Sequence, residues 1–222
     1  QHADGLILCS IENDWSMVKA YQKYGALVVC DKYNQDSSVS MIYGKQYEGF
    51  YGAAQYLIQR GRREIAYCTG AHQLAPRPGG MDFDTDRYRG YRDALKDNGL
   101  VPNEKWLFRR IQTLEDGRSV LRRILAQRER PQAILAGSDE VAAGIVTEAL
   151  ACGLRVPQDL AVIGVDDQPI AALLPVPLTT IRQPIELEGR MAARAMLDQL
   201  NGTSTGPVRQ ELDLELVVRA SA

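Results

Sequence analysis

The sequence predicts an α/β fold built on parallel sheets, and three observations predict it. Apolar runs of four to six residues recur along the chain: Gly5–Cys9, Ala26–Cys30, Ile65–Cys68, Ala133–Ala136 and Leu160–Val165. Longer amphipathic stretches, with apolar residues at helical spacing, lie between them. Turn residues stand at the joins. Strands of a parallel sheet are covered on both faces and so read as continuous apolar runs. Each also needs a crossover of a dozen or more residues, usually a helix, to reach its neighbour.

The elements follow in order. Gly5–Cys9 reads as a strand, Trp15 to Tyr24 as a helical segment, and Ala26–Cys30 as a second strand ending at Asp31. From Gly49 to Arg60, the residues Phe50, Ala53, Ala54, Leu57 and Ile58 share a helical face that stops at Gly61. The strand Ile65–Cys68 comes next, then a helix from Tyr88 to Asn98 closed by Gly99 and a short strand at Trp106-Leu107-Phe108. A helix over Gly117 to Arg128 leads to the strand Ala133–Ala136. A helix over Val141 to Ala151, capped by Gly153, leads to the strand Leu160–Val165. Pro169, Pro175, Pro177 and Pro184 break the alternation and read as surface loop with a short extended segment. A helix over Ile185 to Leu200, a polar loop over Asn201 to Gly206 and a strand near Leu214 to Val218 complete the pattern. A doubly wound lobe ordinarily opens with a strand and a crossover helix, whereas residue 1 precedes what reads as an interior strand. The first lobe is therefore expected to be incomplete, with Gly5–Cys9 exposing an edge.

Composition bounds the function. With 222 residues, 45% of them hydrophobic, the chain can build one large domain or two small lobes. A formal charge of -2 argues against a basic nucleic-acid footprint on this chain. No run approaches the roughly 18 apolar residues of a membrane span. Gln1-His2-Ala3-Asp4 does not resemble an export signal, so a cytoplasmic location is expected. Cys9, Cys30, Cys68 and Cys152 show no C-x-x-C spacing and are expected as reduced, mostly buried thiols. With only His2 and His72 as histidines, neither a metal site nor a cofactor is expected.

In open parallel sheets ligands bind beyond the carboxyl ends of the strands. There the sequence places Cys9-Ser10, Asp31-Lys32-Tyr33-Asn34, Thr69-Gly70, Ser138-Asp139 and Asp166-Asp167-Gln168, with Arg87 and Arg89 nearby. Carboxylates and hydroxyls with an arginine suit a polyhydroxylated ligand, whose hydroxyls donate to carboxylate and accept from guanidinium. Plainer readings stay open. Ser138 or Asp139 is equally a helix cap, Asp166-Asp167 a solvated turn, and Arg87 a surface partner of Asp84 or Asp86. No histidine, serine elbow or metal set accompanies the carboxylates, which speaks against catalysis. Pro78-Gly79-Gly80 lacks the Lys-Ser/Thr that follows a phosphate loop.

Several segments together resemble the lactose/galactose repressor family. Ala3-Asp4-Gly5-Leu6-Ile7-Leu8 is similar to its V-D-G-L-I-L strand, and Gln59-Arg60-Gly61-Arg62-Arg63-Glu64-Ile65-Ala66 to its L-G-H-R-R-I-A turn. Arg87-Tyr88-Arg89-Gly90-Tyr91-Arg92-Asp93-Ala94-Leu95 resembles R-x-x-G-Y-x-x-A-L. The stretch from Gly153 through Val156-Pro157 to Gly164-Val165-Asp166-Asp167 resembles G-x-x-V-P-x-D-v-x-V-x-G-F-D-D. Pro177-Leu178-Thr179-Thr180-Ile181-Arg182-Gln183-Pro184 resembles P-L-T-T-V-R-Q-P, and Leu216-Val217-Val218-Arg219 the terminal E-L-V-x-R.

The resemblance implies a type I periplasmic-binding-protein-like fold, with two doubly wound parallel-sheet lobes joined by three crossovers. By it the first lobe is 1–70 plus 184–204, incomplete, and the second is 71–183 plus 205–222. It implies an effector-binding and dimerisation domain of a bacterial transcription regulator that senses a sugar or related polar metabolite. The regulator is a homodimer that meets operator DNA through an N-terminal helix-turn-helix absent from this sequence. By position, Asp31, Arg87 and Asp166 fall on ligand contacts, and Gln183 on a crossover that touches ligand or hinge. Ser138 stands where the family usually has Asn, and a hydroxyl is the shorter group. Leu114 stands near a position that often supplies an aromatic ring, whose loss points away from a typical pyranose. Leu174 and the helix after Ala143 fall on the dimer interface or on core. An effector held by Arg87 and Asp166 from one lobe and Asp31 from the other is expected to favour a closed form. The alternatives are a periplasmic sugar carrier, which shares the fold, and an enzyme on a doubly wound sheet.

Overall fold

Side chains alternate across a strand, so a strand buried on both faces needs a helical layer on each side. The computed structural model describes residues 3–9, 15–30, 33, 36–72 and 83–222. The strands are β1 Gly5–Cys9, β2 Ala26–Cys30, β3 Ser40–Gly44, β4 Ile65–Cys68 and β5 Leu107–Phe108, then β6 Ala133–Leu135, β7 Ala161–Val165, β8 Thr179–Arg182, β9 Arg209–Leu212 and β10 Glu215–Val217. The helices are α1 Trp15–Lys19, α2 Gln46–Gln59, α3 Phe83–Asp97 and α4 Leu114–Leu125, then α5 Asp139–Ala151, α6 Pro169–Leu173 and α7 Ile185–Leu200. The chain forms two compact units. One takes Gln1–Lys45, Pro76–Phe83 and Pro184–Asp213; the other takes Gln46–Ala75, Asp84–Gln183 and Leu214–Ala222.

The first unit holds a parallel sheet in the order β1-β2-β3-β9. Leu27, Val29, Met41 and Tyr43 pack on one face with Val18 of α1. Val28, Cys30 and Ile42 pack on the other against Ala192, Ala195 and Met196 of α7. The second unit holds six strands in the order β10-β8-β7-β6-β4-β5, all parallel except the pair β10–β8. Ala66, Cys68, Ile134 and Val162 face α4 and α5. Ile65, Tyr67, Leu135, Ile163 and Val165 face α2 and α3. Both sheets are thus wound on two sides, as predicted.

Helices α4 and α5 approach closely because each offers a glycine to the other's backbone. A Cβ on Gly117 would collide with the Val141 carbonyl oxygen, and one on Gly144 with that of Leu114. The α5 residues Val141, Ala142, Ala143, Ile145, Val146 and Ala149 are buried within the chain itself. The buried face of the helix after Ala143 therefore packs as core within the chain.

Other expectations change too. Strands β3 and β9 and helix α6 were not anticipated, and α2, α3, α4 and α5 each start earlier than their periodicity suggested. The α4 start has a local cause: Thr113 and Asp116 form a reciprocal capping box. Residues 46–70, expected in the first lobe, belong to the second unit because β4 pairs with β5 and β6. Residues 205–213, expected in the second, belong to the first because β9 pairs with β3. No described helix is long and apolar enough to cross a membrane.

Candidate functional site

Beyond the carboxyl end of β7 the chain makes a turn of two aspartates, both in backbone conformations that L-residues seldom adopt. Asp166 has φ 101° and Asp167 φ 51°. Such strain costs of order 1–3 kcal/mol per residue and persists only where surroundings over-determine it. Here they do. The Asp166 amide donates to the Ile181 carbonyl at 2.8 Å. The Asp167 amide donates to Thr180 Oγ1 at 3.3 Å, and that hydroxyl donates to Asp139 Oδ1 at 2.6 Å. Asp139 Oδ2 accepts from the Gln168 amide at 2.7 Å. Asp167 itself is gripped by Arg182 Nη2 at 2.7 Å and by Arg219 Nη2 at 2.6 Å.

Asp139 is the buried strut of this turn, with 0% of its surface exposed. Burial pushes its carboxyl up to about 6 despite the bonds from Thr180 and Gln168, with the charges of Asp166 and Asp167 adding to the rise. It reaches Thr180 because Gly164 leaves the space; a Cβ there would collide with Asp139 Oδ1. Burial also raises Asp167, but its two arginines outweigh that and leave it below the ordinary carboxylate range. The carboxyl-terminal tail is stitched to the same place. Ser221 Oγ accepts from the Thr179 amide at 2.8 Å and donates to the Val162 carbonyl at 2.6 Å, downstream of the Arg219 contact.

Asp166 is treated differently from its neighbour. Its Oδ1 accepts from Gln183 Nε2 at 2.7 Å, and its Oδ2 has no hydrogen bond among the described residues. Gln183 Oε1 in turn accepts from Gln46 Nε2 at 2.7 Å, and Gln46 Oε1 accepts from Arg87 Nε at 2.8 Å. Three predicted site residues, Arg87, Gln183 and Asp166, are thereby joined in one chain of hydrogen bonds. The fourth member, Gln46, went unread in the sequence. Arg87 is buried, 8% exposed, and its guanidinium lies 5.1 Å from the centre of the Phe50 ring. What the arrangement offers is one carboxylate with a spare acceptor, tied through two amides to a buried arginine. That is recognition chemistry for a hydroxyl-bearing guest.

The chain matches a periplasmic binding protein-like domain over residues 54–222. It is 32% identical to the NTD biosynthesis operon regulator NtdR of Bacillus subtilis across its whole length, and spans 65% of that relative. It is 34% identical to the transcriptional repressor PurR of Edwardsiella ictaluri, covering 99% of this chain and 71% of that one. A LacI family transcriptional regulator from Lactobacillus casei, solved with bound sucrose, superposes with a TM-score of 0.86 at 30% identity, over 99% of this chain and 79% of that one. The chain belongs to the LacI family of transcriptional regulators. It corresponds to their effector-binding part, as the resemblance implied, and not to a transport protein. The regulator CelR in complex with cellobiose is similar too, with a TM-score of 0.87 at 31% identity, over 100% of this chain and 67% of that one.

The remaining residues expected of a LacI-family site fall unevenly. Asp31 lies outside the described residues. Ser138 is the N-cap of α5, its Oγ accepting from the Val141 amide at 3.3 Å, so its hydroxyl is engaged as the capping reading had it. Leu114 opens α4 half-buried, and its amide donates to Glu140 Oε1 at 3.2 Å. Leu174 is half-buried against the core, and the large exposed residue beside it is Leu173, 80% exposed. Of the cysteines, Cys30 and Cys68 are buried but Cys9 and Cys152 are exposed, so the expectation of mostly buried thiols holds for only half of them.

Proposed function

We propose that this LacI-family chain senses a small polar effector, a sugar or related hydroxylated metabolite. Its site lies at the carboxyl ends of β7 and β8, with Asp166 and Arg87 as the charged contacts and Gln183 beside them. Leu114 supplies an apolar wall in place of an aromatic one, and Ser138 lends at most its hydroxyl oxygen. No catalysis is assigned: the relatives are named as regulators. The complete regulator works in the cytoplasm as a homodimer, with Leu174 and the exposed Leu173 offered to the second copy. It reaches operator DNA through a helix-turn-helix outside this sequence.

The observation that carries this reading is the spare Oδ2 of Asp166 on a turn too strained to be accidental. Calorimetric titration with cellobiose, sucrose and glucose tests it. Against whichever sugar binds, Arg87→Ala is expected to cost roughly 1.5–3 kcal/mol, the worth of hydrogen bonds to a charged group. Unchanged affinity would remove Arg87 from the site.

A further inference from the structure

The geometry points to Gln46 as a positioning residue of the effector site, whose amide sets the direction of the hydrogen-bond chain between Arg87 and Asp166. This rests on the functional reading above for its consequence, though not for its geometry. Gln46 opens α2 and is 1% exposed, so its amide must be satisfied within the protein. The two ends of the chain fix how it lies. A guanidinium can only donate, so Gln46 turns its carbonyl oxygen to Arg87. At the other end Asp166 Oδ1 accepts, so Gln183 turns its amino group to it. Between them the Gln46 amino group meets the Gln183 carbonyl oxygen. Reversing either amide would set donor against donor or acceptor against acceptor.

Only an amide of this length fits the second place. A glutamate has no donor for Gln183, a leucine has neither group, and a lysine or arginine cannot accept from Arg87. The relay also does what a direct ion pair would not. Asp166 forms no salt bridge among the described residues. Two neutral amides stand between it and the arginine, so the two charges are not spent on each other. The amides polarise one another, which strengthens the relay beyond its separate bonds.

A reversal of polarity tests this without any ligand. In Gln46→Glu, Gln183 must turn its amino group toward the new carboxylate, which points its carbonyl oxygen at Asp166. Thermal unfolding of the 222-residue chain is expected to show Tm lowered by roughly 4 °C. Adding Asp166→Asn supplies an amino group to meet that carbonyl, so the double variant should recover more than half of the loss. If Gln46→Glu alone does not fold, the double variant is still expected to fold. A Tm unchanged in Gln46→Glu, strictly additive losses, or a double variant that also fails to fold would overturn the proposal. The second arm titrates cellobiose, sucrose and glucose into the wild type and Gln46→Asn. A sugar that binds the wild type should bind Gln46→Asn at least tenfold more weakly, with Tm shifted far less than that loss implies, and equal affinity would overturn the positioning role. If none of the three binds the wild type, the sugar reading falls while the thermal cycle still decides the relay.

Discussion

The two sheets of this chain are built from the same kind of strand yet are finished very differently. In the second unit β4, β6 and β7 are buried residue by residue, with helices on both faces and neighbours on both edges. In the first unit β1 has a neighbour on one edge only among the described residues, and its Leu6 and Ile7 are each 38% exposed. Met17, Tyr21 and Tyr24, which follow β1, are exposed as well. An apolar run makes a strand in both places, but full burial needs both faces and both edges closed. Substitutions in the second unit should therefore be costly and those on β1 cheap.

The sharpest break is expected at the α4–α5 contact. Gly144→Leu drives a side chain into the Leu114 carbonyl and should destabilise by upward of about 3 kcal/mol in chemical denaturation. A cost below about 1 kcal/mol would mean the helices can part, and would weaken the contrast.

Asp139 gives the next effect, visible as pH dependence. Its folded-state pKa of about 6 lies above the ordinary 3.8, so between those values the folded state holds the proton more tightly than the unfolded one. Its contribution to stability therefore rises as pH falls from about 7 to about 4, by on the order of 3 kcal/mol at about 1.36 kcal/mol per unit. Asp36 and Asp159, held low by their lysine and arginine partners, push the other way. The informative quantity is thus the difference between wild type and Asp139→Asn, followed by urea denaturation at pH 7 and pH 4.5. The gain on acidification should shrink in the variant; parallel profiles would show that Asp139 does not titrate in this range.

At the small end, Ile7→Thr on β1 should change stability by no more than about 0.5 kcal/mol, the ordinary figure for exposed positions. A loss of 2 kcal/mol or more would mean that β1 is as closed as β7, and the contrast between the sheets would disappear.

How far the sequence could be read obeys the same division. Strands β2, β4 and β7 were legible because burial on both faces leaves an unbroken apolar signature. Strand β9 was not: Arg209, Gln210 and Glu211 sit on an edge where polar side chains reach solvent, so no apolar run marks them. Helix α6 was masked by Pro169, which suits the first turn of a helix but reads from sequence as a breaker. In the candidate site, a strand end or a family motif pointed to each of Arg87, Asp166 and Gln183, the three predicted residues that the relay joins. Gln46 was missed for a traceable reason. It stands two residues after β3, whose five buried residues follow two serines and a valine and were not taken for a strand. With β3 recognised, the rule that ligand chemistry gathers at strand ends would have led to Gln46.

The grip of Arg219 on Asp167 spans 52 positions of sequence. During synthesis the aspartate turn is made before the arginine that clamps it, so for that interval the nascent chain carries Asp166 and Asp167 without their final clamp. On the function proposed above, competence to sense the effector is then conferred by a late-made segment outside the proposed contacts. A peptide fusion or cleavage near Arg219 should accordingly blunt sensing while leaving every proposed ligand contact in place.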